Sequence, residues 1–353
     1  MEARIAVSET DSVRTLLEPE TNNQKPYPPV SSIPQTSSER LAQFAVGKKE
    51  DKQPETMLYL AYGSNMCAQT FMGMRGVRPL SQINVTAPSL RLTLTLPGIP
   101  YREPCFANVD YREIPEPSEK EKLKNAEMDY PPSLLPYETG KWDGSLIGVV
   151  YEVTQADYRN ILRTEGGGSG YKEIQVPCLP IPTNDADGKP STKQPKPFLA
   201  RTLFAAYVLD DPSKDTWWKR MTTGHRRPEP ERLQASKRYM KLLTDGAAEH
   251  DLPREYQDYL GSLQPYASTT KRQFYGGLIF SLLWGPLILS AMRLGRLLAD
   301  DTGRYPLWFA GCINFCFNTA WFSYDVFFKH VFGDGERTEK AKSEVRLKKE
   351  EKL

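Results

Sequence analysis

The stretch Met57-Leu-Tyr-Leu-Ala-Tyr-Gly-Ser-Asn-Met66 begins the apolar part of the chain. Its first six residues are apolar or aromatic, which is typical of a buried β-strand. Gly63-Ser-Asn65 then ends the strand with a strong turn signal. Backbone N–H groups at such a turn can point to one side and bind an anion, and a glycine lets a ligand approach the backbone closely. An ordinary turn capped by the Asn65 side chain is the alternative interpretation.

A second glycine-rich segment, Thr164-Glu-Gly-Gly-Gly-Ser-Gly-Tyr171, follows a predicted strand at 145–153 and a predicted helix at 155–163 that Thr154 caps. Glu165 lies where that helix ends and is followed by three glycines, which have no side chains. A carboxylate in such a place can act as a general acid or base. A surface glutamate before a flexible loop is the alternative. The order helix, glycines, strand excludes a Rossmann nucleotide site, and a P-loop motif is absent.

The other periodic segments predict an α+β domain. Alternating apolar residues at 90–96 indicate a half-buried strand, and further strands are expected at 171–179 and 198–209. Helices are predicted at 67–74, 239–248 and 253–263. Because strands and helices do not alternate regularly, the sequence favours a mixed, barrel-like sheet with flanking helices.

Composition divides the chain into ordered and disordered parts. Only 39% of residues are hydrophobic and 29 are proline, a combination that predicts disordered stretches around a smaller folded core. We expect a disordered leader over 1–55 and a catalytic domain over 56–268. Within that domain, proline-rich and charged insertions are predicted at 112–140 and 181–235. A charged tail is predicted over 329–353.

Two uncharged runs of 20 residues each lie between the predicted domain and the tail, at 273–292 and 305–324. About 20 helical residues cross the apolar core of a bilayer, and aromatic residues near both ends suit its interfaces. The sequence therefore predicts a two-helix membrane hairpin over 273–328. Basic flanks place both tails, and the catalytic domain, on the cytosolic side. A buried helical pair of a soluble domain is the alternative.

Charge and metal-ligand content exclude several classes of function. The chain has 46 Lys and Arg against 44 Asp and Glu, so nothing indicates nucleic-acid binding. Its three histidines and widely spread cysteines match no zinc spacing, and we predict no metal site. The amino terminus has neither the basic start nor the apolar run of a secretory signal, which favours a reducing, cytosolic setting for the catalytic part.

Three landmarks, in order, resemble the γ-glutamylcyclotransferases. The first is Tyr59-Leu-Ala-Tyr-Gly-Ser-Asn-Met66, the second is the strand and helix that lead to Glu165 and its glycines, and the third is the segment 239–260. The resemblance covers about 57–265 and is to a fungal-like, YGSN-type member. It implies a small α+β fold around a β-barrel, with no metal or organic cofactor.

The resemblance also implies a reaction. The α-amine of a small-molecule γ-glutamyl substrate attacks its own γ-carbonyl, releasing 5-oxoproline and a free amine, as in the carbon–nitrogen lyases. Glu165 matches the catalytic acid/base, and Tyr171 matches a family tyrosine less well because it is offset by about one residue. The residues that match the substrate-binding positions are Tyr59, Leu60, Ala61, Tyr62, Gly63, Ser64, Asn65 and Tyr239.

The leaving amine stays open at this point. The chain is longer than the compact members of the family, and its insertions can reshape the amine side of the pocket. A cyclotransferase that acts on a glutathione-derived conjugate in secondary metabolism is therefore an alternative. A non-catalytic module that binds γ-glutamyl compounds is a second alternative, although the glutamate at position 165 argues against it.

Overall fold

A computed structural model of the chain describes residues 27–47, 55–112, 142–182, 196–205, 216–224, 227, 229 and 232–339. Its sheets are formed by the strands β1 (Thr56–Ala61), β2 (Ser81–Ala87), β3 (Leu90–Ile99), β4 (Glu103–Tyr111), β5 (Leu146–Thr154), β6 (Lys172–Pro180) and β7 (Phe198–Phe204). Five of them close into a barrel in the order β1-β5-β2-β6-β7, and β3 pairs with β4 in a separate hairpin. Within the barrel, β1 and β7 are parallel and the other neighbours are antiparallel.

The strand that leads to the first glycine turn is β1, which lies between β5 and β7 in the barrel. Residues Met57 to Ala61 are all buried, as expected for a strand that is covered on both faces and therefore has a continuous apolar sequence. On β5, Leu146 to Tyr151 are buried in the same way. This buried pair of strands fixes the position of the turn that follows β1, and the predicted α+β barrel is confirmed.

The described helices are α1 (Ser38–Gln43), α2 (Gln155–Thr164), α3 (Trp217–Thr222), α4 (Lys237–Glu249), α5 (Arg254–Ser262), α6 (Lys271–Leu298), α7 (Leu307–Ser323) and α8 (Lys329–Phe332). A π-helical turn, Gln69–Met74, lies where the sequence predicts a helix after the first glycine turn. Thr154 caps α2 by accepting a hydrogen bond from the backbone N–H of Asp157, and Ser236 caps α4 in the same way.

The structure differs from the predicted disordered leader, 1–55. Residues 27–47 pack on the barrel, because isolated β-bridges join Gln35 to β2 and Ala45 to β7. The guanidinium of Arg40 also pairs with a glutamate carboxylate of β5 at 2.6 Å. Proline-rich composition indicated disorder here, but these local contacts to a completed barrel hold the segment. The rest of the leader, apart from the residue before β1, lies outside the described residues.

The predicted insertions have different outcomes. All but the first residue of the 112–140 segment lies outside the described part of the chain. The 181–235 segment is not a simple insertion, because it contains β7, the strand that closes the barrel against β1. It also contains α3, which packs against α7.

The predicted charged tail, 329–353, is folded back on the protein at its start. Here α8 is followed by a turn in which Glu336 is buried. The carboxylate of Glu336 pairs with the guanidinium of Arg227 at 2.7 Å, and both side chains are 5% exposed. Burial of one partner alone is costly, so the pair holds this turn against the domain. Residues 340–353 lie outside the description.

The two apolar runs form α6 and α7, as the sequence predicts. Among the residues that the structure describes, α6 alone is long and apolar enough to cross a membrane, judged by length and composition. Helix α7 has 17 residues, and seven of them are buried. A two-helix membrane hairpin therefore stays a prediction.

Candidate active site

The turn after β1 is held by close packing around a glycine. A Cβ atom at Gly63 would lie 3.2 Å from the Cβ of Ala107 and 3.2 Å from the phenol oxygen of Tyr239. That phenol accepts a hydrogen bond of 3.1 Å from the backbone N–H of Ala107 on β4. A larger residue at position 63 would have to push these two groups apart. The turn, the β3–β4 hairpin and α4 therefore meet at one point.

The second glycine segment starts where α2 ends. Glu165 is the last capping residue of α2, and its backbone N–H donates to the carbonyl of Ile161 at 2.9 Å. Gly166, Gly167 and Gly168 follow with φ angles of +90°, +54° and +83°. Only glycine readily adopts three left-handed conformations in succession. This reversal of the chain therefore requires glycine at all three positions.

These two segments bring Glu165 to the glycine turn. Its Oε1 accepts a hydrogen bond of 2.9 Å from the Asn65 amide nitrogen, and it lies 2.6 Å from a guanidinium nitrogen of Arg75. The same Asn65 nitrogen donates to the phenol oxygen of Tyr59 at 2.9 Å. In the described part of the chain, no hydrogen bond reaches Oε2 of Glu165. One carboxylate oxygen is thus fixed, and the other is available for proton transfer.

Arg75 is a site residue that sequence reasoning missed. Its guanidinium spans Glu165 and the hydroxyl of Thr164, so it contacts the last turn of α2 at two points. The backbone carbonyl of Arg75 also accepts a hydrogen bond of 2.7 Å from the Asn160 side chain. The bond from the Arg75 guanidinium to the Glu165 carboxylate is charge-assisted, and such a bond is stronger and more directional than a neutral one. The only sequence signal was that Arg75 follows the short helix that the glycine turn begins.

A cavity of about 330 Å³ joins the predicted site residues. It is lined by Tyr59, Tyr62, Gly63, Ser64, Asn65, Glu165, Tyr171 and Tyr239, among others. Leu60 and Ala61, also predicted as substrate contacts, do not line it; they are buried in the barrel wall. Because side chains alternate along a strand, Leu60 faces away from the side that Tyr59 occupies.

The tyrosines around this cavity are neutral groups at neutral pH. Burial raises the pKa of Tyr59, and the nearby negative charge of Glu165 raises it further. Burial also raises the pKa of Tyr62, Tyr171 and Tyr239. The Tyr171 phenol donates to the carbonyl of Ala107 at 3.2 Å. These phenols can therefore donate or accept hydrogen bonds. Among the groups that line the cavity, Glu165 is the candidate acid/base.

Comparison with known proteins supports the resemblance. The chain is 30% identical over 284 residues to the γ-glutamyl cyclotransferase gliK of Aspergillus fumigatus, which covers 79% of this chain and 88% of that protein. It is 29% identical over 297 residues to the γ-glutamyl cyclotransferase aclK of Aspergillus oryzae, covering 82% and 93%. The chain belongs to the γ-glutamyl cyclotransferase family. No protein-family model matches it.

The chain also matches solved structures at lower sequence identity. One, a γ-glutamyl cyclotransferase, is 18% identical with a TM-score of 0.37, and the match covers 62% of this chain and 93% of the solved one. The assignment of an α+β barrel therefore rests on the strand order described above. Within the described residues, no group of three or more His, Cys, Asp or Glu side chains could hold a metal ion.

Proposed function

We propose that this family member is a γ-glutamylcyclotransferase, a carbon–nitrogen lyase that converts a γ-glutamyl peptide or amide to 5-oxoproline and a free amine. One observation carries the proposal. Glu165 shares a single cavity with Gly63, Ser64 and Asn65, and the described residues hold its carboxylate there through Oε1. The acid/base group and the ligand-binding turn are therefore close enough to act on one small molecule.

The reaction needs no protein nucleophile, because the substrate supplies its own. The α-ammonium group gives a proton to Glu165, and the resulting amine attacks the γ-carbonyl carbon to close a five-membered ring. The bond from that carbon to the leaving nitrogen then breaks. Overall, two protons pass from the α-nitrogen to the leaving nitrogen, and Glu165 can carry them one at a time.

The fixed groups around Glu165 suit this task. Asn65 and Arg75 hold Oε1, so the proton is exchanged at Oε2 in a constant orientation. The turn at Gly63, Ser64 and Asn65 would receive the α-carboxylate of the substrate, as the sequence predicts for an anion-binding turn. The enzyme then contributes mainly by folding the γ-glutamyl group so that its amine lies near its carbonyl carbon.

A substrate panel tests this proposal. The purified full chain is incubated with γ-glutamyl amino acids, γ-glutamyl amines and glutathione, and both 5-oxoproline and the released amine are quantified. We expect equal amounts of the two products from at least one class of substrate. Binding of a γ-glutamyl compound without turnover of any of them would instead support the non-catalytic binding module.

We also propose that the chain is held on a membrane through α6, with the catalytic domain in the cytosol. Large apolar side chains are exposed along that helix; examples are Phe274, Ile279, Leu282, Leu283, Leu287, Leu294 and Leu297. Exposed apolar surface of this extent is unusual on a soluble monomer. Helix α7 is more closely attached to the catalytic domain, because the Trp321 indole N–H donates to the carbonyl of Gly98 at 3.0 Å.

Extraction of the full chain from a membrane fraction tests the attachment. Retention in the pellet after carbonate at high pH supports insertion of the exposed apolar face of α6 into the bilayer, and release by carbonate but not by salt supports a shallower apolar contact with one leaflet. A chain that is soluble in the absence of detergent and carbonate would contradict membrane attachment. Protease digestion of sealed vesicles then reports the side on which the catalytic domain lies.

A further inference from the structure

The C-terminal helices contribute one wall of the active-site cavity. Met292 near the end of α6, and Ile313 and Phe317 one turn apart on α7, line the same cavity as Glu165 and the glycine turn. Tyr305, between the two helices, lines it as well. The site is therefore shared between the barrel domain and a segment that the sequence indicated only as a membrane hairpin.

This wall is attached directly to the catalytic glycine segment. The backbone N–H of Tyr305 donates to the carbonyl of Gly167 at 2.9 Å, and its phenol donates to the carbonyl of Arg163 at 3.0 Å. A Cβ atom at Gly167 would lie 2.2 Å from the Tyr305 ring. The ring thus lies against the backbone two residues beyond Glu165.

Helix α7 is fixed in place by buried side-chain amides. The Asn318 amide nitrogen donates to the carbonyls of Met221 and Gly224 at 3.0 and 2.9 Å, and that of Asn314 donates to the carbonyl of Thr222 at 3.2 Å. Buried amides that lose such partners are costly, so these bonds resist movement of α7. The α7 side of the wall is therefore held in a fixed position, as a binding surface requires.

The two ends of the cavity differ in chemistry. Charged and polar side chains lie around Glu165, whereas the wall made by Met292, Ile313 and Phe317 is apolar, and Leu96 and Leu242 add to the apolar lining. A γ-glutamyl group, with its charged amine and carboxylate, suits only the polar end. The rest of the substrate, which is the leaving amine, must extend from there into the remaining space.

We propose that Met292, Ile313 and Phe317 form a specificity subsite that takes an apolar group on the leaving amine. The inference rests on the proposed cyclotransferase reaction and names the class of its substrate: a γ-glutamyl compound whose amine part bears a bulky hydrocarbon or aromatic substituent. Burial of one phenyl-sized group at such a wall favours binding by about 10- to 100-fold.

A matched pair of substrates tests the subsite. Glutathione and S-benzylglutathione have the same γ-glutamyl group and differ by one apolar substituent on the leaving part. We expect kcat/KM of the full-length protein to be about 10- to 100-fold higher for S-benzylglutathione. In Phe317→Ser and in Met292→Gln this ratio should fall about 10-fold, mainly through KM for the conjugate. Met292 is 39% exposed, so its variant is expected to fold.

Phe322→Ser is the matched control, because Phe322 also lies on α7 but is 61% exposed and does not line the cavity. Its substrate ratio should equal that of the wild type. Equal kcat/KM for the two peptides in the wild type, or the same ratio in the control and both cavity variants, would overturn the subsite. If neither peptide is turned over, the proposed reaction fails for them, and calorimetry decides the subsite separately: tighter binding of S-benzylglutathione supports it, and equal affinity rejects it.

Discussion

The two ends of the cavity are held by different physical means. At the polar end, Glu165 is fixed by an ion pair with Arg75 and by the Asn65 amide, within a few ångströms of the glycine turn. At the apolar end, Ile313 and Phe317 belong to a helix that buried amides fix from behind. The contrast separates chemistry from selection: the polar end can perform one reaction, whereas the apolar end determines which leaving groups are accepted.

Loss of the acid/base group should have the largest effect, and it should be confined to the polar end. Glu165→Gln keeps the shape of the side chain but cannot take a proton. We expect kcat to fall about 10³-fold, the range typical of a lost general acid or base, with little change in melting temperature. The assay is 5-oxoproline release at saturating substrate. Activity within a few-fold of the wild type would remove Glu165 from the mechanism.

Substitutions of Arg75 test whether the orientation of Glu165 matters as much as the presence of its carboxylate. Arg75→Met should lower kcat about 10- to 100-fold, because a charge-assisted bond that orients Glu165 is lost. Arg75→Lys retains the charge but cannot span Glu165 and Thr164, and an intermediate kcat is expected. If both variants have wild-type kcat and pH profile, Arg75 has a purely structural role or none.

Gly167 lies against Tyr305, and this contact between the glycine segment and the apolar wall can be tested by substituting adjacent glycines. Gly168→Ala introduces only an unfavourable φ of +83°, which costs about 1–2 kcal/mol, whereas Gly167→Ala also drives a Cβ into Tyr305. We expect the lower melting temperature and the larger loss of kcat in Gly167→Ala. Adding Tyr305→Ala should restore part of the stability, as a double-mutant cycle would measure. Equal melting temperatures for the two glycine variants would contradict the contact.

Beneath the glycine turn and outside the cavity lining, the expected effect is on stability rather than on catalysis, as a pH dependence at His250. His250 contacts the Tyr151 phenol at 2.7 Å and the Met66 carbonyl at 3.1 Å, and burial lowers its pKa from 6.5 to about 4. The unfolded chain therefore binds this proton first, and stability is lost as pH falls from about 6.5 to about 4. The loss is about 3 kcal/mol at most.

Chemical denaturation of the wild type and His250→Gln across that pH range measures the effect. The difference between their unfolding free energies should shrink as pH falls. The neighbouring Glu249, whose pKa is raised by burial, is present in both proteins and cancels in the difference. A difference that stays constant with pH would show that His250 does not contribute.

Much of the polar end was predictable because local sequence determines it. A buried strand followed by Gly-Ser-Asn, and a capped helix followed by three glycines, are each short segments with strong conformational preferences. Their meeting in one cavity was predicted through resemblance to the family. Arg75 was not predictable in this way, because its partner Glu165 is 90 residues away and neither residue identifies the other.

The parts that sequence reasoning missed depend on tertiary contacts. Strand β2 contains polar residues that are buried because the barrel and the 27–47 segment supply partners: the Ser81 hydroxyl lies 2.9 Å from that of Thr36 and 2.9 Å from a Glu152 oxygen. The uncharged sequence of helix α7 does not distinguish a membrane segment from a helix packed on the domain. Its position on the domain depends on Asn314 and Asn318, whose partners lie on another helix.

The source of the attacking atom distinguishes cyclisation by the substrate's own amine from hydrolysis by water. The full-length protein is given a γ-glutamyl substrate that it turns over, in water enriched in ¹⁸O, and the products are analysed by mass spectrometry. We expect unlabelled 5-oxoproline in an amount equal to the released amine, because the substrate's own amine attacks the carbonyl. Glutamate carrying one ¹⁸O atom would show attack by water and would rule out the cyclisation.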